Sequence, residues 1–113
     1  MMNEKQIDIN KMFTYLEQAE SLVDSVYHYA IETGNSELQE LMHMAGTACN
    51  DGRNMLPKPG MSKDEIMSKL DLAQQLLSDV YHDACEKGNS EIESQMSCAD
   101  SCISETMDRL EKE

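Results

Sequence analysis

Residues 12–56 lie over residues 66–110 at an offset of 54, with 15 of 45 aligned pairs identical. The densest stretch sets VYHYAIETGNSE (26–37) over VYHDACEKGNSE (80–91). A chain that repeats itself in this way builds its core from two copies of one supersecondary unit, each with an apolar face that the other covers. The period is too long for tetratricopeptide or ankyrin units and suits a helical hairpin with a linker.

The apolar spacing gives the unit its secondary structure. Met12, Leu16, Ala19, Val23, Val26 and Ala30 alternate steps of four and three, and Ile66, Leu70, Ala73, Leu77, Val80 and Ala84 repeat the pattern. That is an a/d seam of the coiled-coil kind, widened by Leu22 and Leu76. The second helix of each unit carries Leu38, Met42, Ala45 and Cys49, or Ile92, Met96, Ala99 and Ile103. Gly34 and Gly88 stand where a helix ends in the left-handed conformation. Ser36 with Gln39, and Ser90 with Glu93, are read as N-caps completing capping boxes. Pro57, Pro59 and Gly60 break the chain between units, and Ser62 with Glu65 restarts it. The spacing predicts helices over 9–33, 37–53, 63–87 and 91–111. The expected fold is all-α: a single domain over 1–113, an antiparallel four-helix bundle made from hairpin 9–56, linker 57–62 and hairpin 63–111. A dimer exchanging hairpins is the structural alternative.

Composition bounds the function. The first ten residues hold no apolar run of the kind a signal peptide needs, and the longest uncharged run, Leu41 to Asn50, is too short to span a bilayer. The expectation is a cytoplasmic protein with Cys49, Cys85, Cys98 and Cys102 reduced. Twenty-two acids against nine bases give a net charge of −13. Direct binding to nucleic acid or to anionic membrane is disfavoured, because phosphates repel such a surface.

Several residue groups are candidates for chemistry. Cys98 and Cys102 are four apart on one side of the last helix, a spacing at which thiolates share a soft metal. The segment CADSC resembles the CxxxC pairs of copper-storing four-helix bundles, which carry many more thiols. Cys49, Cys85, Cys98 and Cys102 fall on Ile103, Ile31, Met44 and Ala48 of the other copy, so each is expected to behave as a small buried hydrophobe. The alternative is a thiol-based metal or redox site on Cys85, Cys98 and Cys102. A di-iron site needs two Glu-x-x-His motifs; Glu40 with His43 fits, but its repeat mates are Ser94 and Ser97. The seam phase puts Tyr27 and Tyr81 at the edge of the core and His28 and His82 towards water, with Glu32 and Glu86 one turn on as local partners. These two Tyr-His patches offer a contact surface. No phosphate loop, zincin motif or nucleophile elbow occurs. A non-enzymatic protein without cofactors is expected.

Charge is segregated as well as abundant. Met12 to Gly52 contains seven acids and no base, Leu70 to Glu86 four acids and no base, and Gly88 to Asp108 five acids and no base. Surface helices ordinarily interleave both signs. Solubility accounts for such flanks, and so does recognition of a basic partner. The functional expectation is an acidic interaction module acting on a basic protein surface, such as that of a nucleic-acid-binding protein. Its sharpest form is a phage- or plasmid-encoded inhibitor imitating nucleic-acid charge, by analogy with anti-restriction and anti-CRISPR proteins. Glu17, Glu20, Asp24, Asp71 and Asp79, with Tyr27, His28, Tyr81 and His82, are the candidate contacts.

Overall fold

The computed structural model describes residues 4–56 and 63–112, with side chains from residue 9 onward. Four helices follow in order: α1 Glu4–Thr33, α2 Ser36–Met55, α3 Lys63–Lys87 and α4 Ser90–Glu111. α1 packs on α2 and α4, and α3 packs on α2 and α4, so α1 and α3 are diagonal. The result is the expected four-helix bundle, 46 × 21 × 21 Å, its length that of a 30-residue helix at 1.5 Å per residue. No described helix is long and apolar enough to cross a membrane. The expected linker, with its prolines and the Ser62 capping box, lies outside the described residues.

The seam residues build the core. All six a/d residues of α1 and all six of α3 are buried, and so are Leu38, Met42, Ala45 and Cys49 of α2 and their mates in α4. Leu76 joins them, while Leu22 packs against the core only partly buried. The duplicated positions differ at Gly52, whose mate is Thr106. A Cβ on Gly52 would stand 3.0 Å from Leu70 Cδ2, so α2 approaches α3 closely there. Thr106 is fully buried, and its hydroxyl donates to the Cys102 carbonyl at 3.0 Å, which removes the cost of burying it.

Both hairpin turns have the same chemistry. Gly34 and Gly88 take φ of 68° and 71°. The amide of Asn35 donates to Ala30 O at 2.9 Å and that of Gly34 to Ile31 O at 3.2 Å, a Schellman closure that Asn89 and Gly88 repeat. The caps differ from expectation. Asn35 and Asn89, not Ser36 and Ser90, are the N-cap residues, their side chains accepting from the amides of Leu38 and Ile92. The reason is backbone geometry. Asn35 and Asn89 are already extended outside the helix, whereas Ser36 and Ser90 are its first helical residues, so the Ser-to-Gln39 and Ser-to-Glu93 boxes are one residue out of register.

Candidate functional site

Hairpin 1 (α1 and α2) holds an open groove of about 610 Å³ between its helices. Glu17, Glu20, Asp24 and Tyr27 line it from α1; His43, Gly46, Thr47, Asn50 and Arg53 line it from α2. Helical spacing of three and four places each set along one edge. Gly46 leaves the floor low, since it puts no side chain over Val23.

Arg53 organises the lower end. Its guanidinium lies 5.1 Å from the Phe13 ring centroid, with Nε 2.9 Å from Glu20 Oε2 and Nη1 4.0 Å from Glu17 Oε2. The Nε contact is close but out of line for a hydrogen bond, so the attraction is Coulombic. Burial pushes the Glu20 carboxyl above its ordinary value; Arg53 and a hydrogen bond with Asn50 pull it back, and the charge of Glu17 adds to the rise. At the upper end the Tyr27 and His43 rings stand 6.4 Å apart. Thr47 turns its hydroxyl onto the His43 carbonyl at 2.9 Å. The groove thus offers carboxylates, two aromatic rings and one internal cation, a set suited to holding a positively charged group.

The remaining expected contacts are dispersed. His28 and His82 are exposed, beside half-buried Tyr27 and Tyr81, in matching edge-on pairs with centroids at 5.8 and 5.7 Å. His28 meets Asp24 Oδ2 at 3.3 Å, one turn back, rather than Glu32 one turn on. Beside Tyr81, the Cys85 thiol pushes the phenol up through charge and a hydrogen bond, and Glu93 adds to this. Asp71 accepts from Gln75 at 3.0 Å, and Asp79 lies on the rim of a groove between α2 and α3. Because α1 and α3 are diagonal, Asp71 and Asp79 do not share a footprint with Glu17, Glu20 and Asp24.

Hairpin 2 (α3 and α4) does not reproduce the groove chemistry. Gln74, Ser97, Asp100 and Met107 stand at the repeat positions of Glu20, His43, Gly46 and Arg53. Gln74 Nε2 donates across the interface to Ser104 Oγ at 2.7 Å, tying α3 to α4.

The cysteines correct one expectation. Cys49 is fully buried like its mate Ile103, and burial pushes its thiol up to about 12, with Glu20 adding to the rise. Cys85 and Cys98, however, are exposed, and Cys102 is half-buried. The apolar mates of Cys85 and Cys98 explain their exposure, for Ile31 and Met44 are themselves 47% and 43% exposed, whereas Cys102 departs from its buried mate Ala48. Repeat equivalence conveys a shared environment, and these positions lie off the seam. Cys102 donates to Gln18 Oε1 at 3.6 Å, facing α1, whereas Cys85 neighbours Tyr81 on α3. Among the described residues no three His, Cys, Asp or Glu side chains converge as a metal site would require.

Arg53, Asn50 and Gly46 are not marked as a site by any motif in the sequence, and His43 enters only as half of a Glu-x-x-His spacing whose repeat mate is lost. Two signals point to them: a glycine in mid-helix, which costs about 1 kcal/mol against alanine and so suggests a need for space, and Arg53 as the single base between Met12 and Leu56. No protein-family model, curated protein or solved structure matches the chain.

Proposed function

We propose that this protein is a non-enzymatic acidic interaction module that occupies a basic surface of a partner protein, of the sort a nucleic-acid-binding protein presents. The observation that carries this reading is the fate of four of its nine bases. Arg53 is drawn to Glu17 and Glu20, Lys69 to Asp51, Lys87 to Asp83 and Arg109 to Glu105. With those bases spent internally, Glu32, Glu37, Glu40, Asp79, Glu86 and Glu91 remain exposed on stiff helices. Carboxylates held on a rigid rod lose little entropy on binding, so a charged contact forms without much buried apolar area. A small inhibitor that imitates nucleic-acid charge, working in a reducing cytoplasm, fits such a surface.

The test is association rate against ionic strength with the partner recovered from the native cell. Wild type is compared with Glu17→Lys/Asp24→Lys and with Glu37→Lys/Glu40→Lys; Glu20 is left in place because it holds Arg53. Charge recognition slows by roughly tenfold between low and high salt, and at least one reversal slows it further while circular dichroism is unchanged. A flat salt dependence assigns the acids to solubility and ends the reading.

A further inference from the structure

Duplication gives each surface an internal control. The seam between α2 and α3 is the repeat mate of the seam between α4 and α1, so a difference between them is not a demand of the backbone. The α4/α1 seam is closed by polar contacts: Gln95 donates to Ser25 Oγ at 3.4 Å, Cys102 to Gln18 at 3.6 Å and Asn89 to the Tyr29 hydroxyl at 3.4 Å. At the corresponding places α2/α3 carries Leu41 for Gln95, Leu72 for Gln18, Ala48 for Cys102 and Met44 for Cys98.

These replacements form one strip. The Lys69 to Asp51 contact at 3.7 Å, and the groove that Leu41 shares with Asp79 and Val80, set the antiparallel register. That register puts Met44 opposite Leu76 and Leu72 opposite Ala48. Met44 and Leu72 are 43% and 44% exposed, over buried Ala48 and Leu76. Towards the hairpin turns the strip runs into the α2/α3 groove, about 340 Å³, with Glu37 and Asp79 at its edge and Asp83 there paired with Lys87 at 3.0 Å. Exposed single hydrophobes need no explanation. Apolar side chains gathered along the middle of one seam, where the duplicate seam carries Gln18, Gln95, Cys98 and Cys102 and the hydroxyl of its exposed ring, Tyr29, is bonded to Asn89, do.

We propose that the α2/α3 seam is the docking surface for a basic amphipathic helix of a partner protein. Its apolar side lies on Leu41, Met44 and Leu72, and its Lys or Arg side chains reach Glu37 and Asp79. Charge selects this occupant. A second copy of a chain with net charge −13 would set like charges together around the strip, and an anionic membrane would repel the same acids. Methionine at the centre adapts its shape to the side chain it meets. The inference rests on the reading that the partner is basic, and it moves the contact from the Glu17 to Asp24 flank to the opposite side of α2.

The test uses the full chain and a synthetic helical peptide with leucine on one face and lysine on the other. A control peptide replaces leucine with glutamine. Backbone amide shifts should change along α2 and α3 around Met44 and Leu72, and binding should weaken with salt. Met44→Gln/Leu72→Gln should bind about tenfold more weakly while remaining folded by circular dichroism. The proposal is overturned if the peptide does not bind, if the shifts map to another face, or if the double variant binds as tightly. It is also overturned if wild type self-associates and the double variant does not, which would give the face to a second copy. A control peptide that binds as tightly, with the same salt dependence, removes this surface and leaves the basic-partner reading standing. Tight leucine-lysine binding that ignores salt would count against both.

Discussion

Hairpin 1 keeps an open, charged groove between its helices, while hairpin 2 puts neutral Gln74, Ser97 and Met107 at the positions of Glu20, His43 and Arg53; the cross-helix hydrogen bond is common to both, Glu20 with Asn50 in the first and Gln74 with Ser104 in the second. Both hairpins have the same seam, the same glycine turns and the same asparagine caps. What they share is what the bundle needs to fold: apolar residues every three or four positions and a residue free to adopt positive φ. What separates them lies on the flanks. Glu20, His43, Gly46 and Arg53 have diverged from Gln74, Ser97, Asp100 and Met107 without disturbing the backbone. Positions that tolerate such exchange are free of packing constraint, so their chemistry is where a functional difference would be carried.

The largest expected effect concerns Cys49, whose mate Ile103 has nothing to ionise. Its thiol is pushed from 9.0 up to about 12 by burial. The folded protein therefore holds this proton more firmly than the unfolded chain does. The associated stability is complete below about 9 and is lost as pH rises towards about 12, with a ceiling of about 4 kcal/mol at 1.36 kcal/mol per unit. Urea midpoints from pH 8 to 11 should fall more steeply for wild type than for Cys49→Ala; parallel curves would break the distinction between the mates. In the native protein Cys85 and Cys98 should alkylate first and Cys102 more slowly, with Cys49 modified only on unfolding, as read by mass spectrometry.

Arg53→Met makes hairpin 1 resemble hairpin 2 at one position. Glu20 then loses its cation and keeps Glu17 beside it. The variant should be less stable than wild type by about 1 kcal/mol at neutral pH, discounted for partial exposure. The sign with pH follows from the raised Glu20 value. A carboxyl that binds its proton more firmly when folded contributes full stability below its ordinary value and loses it as pH rises through the folded one. The deficit should therefore shrink on acidification as Glu20 protonates. A deficit that stays constant with pH would mean that Arg53 acts through stacking on Phe13 instead.

The smallest effect separates two glycines within α2. A Cβ on Gly46 would meet Val23 Cγ1 at 3.6 Å, an ordinary contact, whereas on Gly52 it would meet Leu70 at 3.0 Å. Gly46→Ala should stabilise the protein by about 0.5–1 kcal/mol through helix propensity, and Gly52→Ala should gain less because Leu70 has to shift. Thermal midpoints measure both. Equal gains would mean that the α2/α3 approach is looser than the Gly52 geometry implies.

The fold was legible because it depends on a one-dimensional pattern. The four-and-three spacing of Met12 through Ala30, repeated from Ile66 through Ala84, names the buried face whatever its neighbours are, and all twelve residues are buried. Gly34 and Gly88 were legible for the same reason, since the residue itself carries the conformational freedom. The caps were misassigned by one residue, because Asn and Ser both cap well and only the backbone at Asn35 decides between them. The thiols were misjudged where repeat pairing stood in for burial: Cys85 and Cys98 lie off the seam with their mates.

By itself, the sequence determined the duplication, the helical hairpin, the core-facing residues and the excess of acid, all properties of composition and local period. Tertiary structure decided which flanks share a side. Helix diagonals separate Glu17, Glu20 and Asp24 from Asp71 and Asp79, and helix adjacency brings Arg53 to Glu20 and joins Met44 and Leu72 along one seam. The physical reason is that heptad position gives a side chain's angle about its own helix, whereas charge pairing and groove formation depend on which neighbouring helix that angle meets.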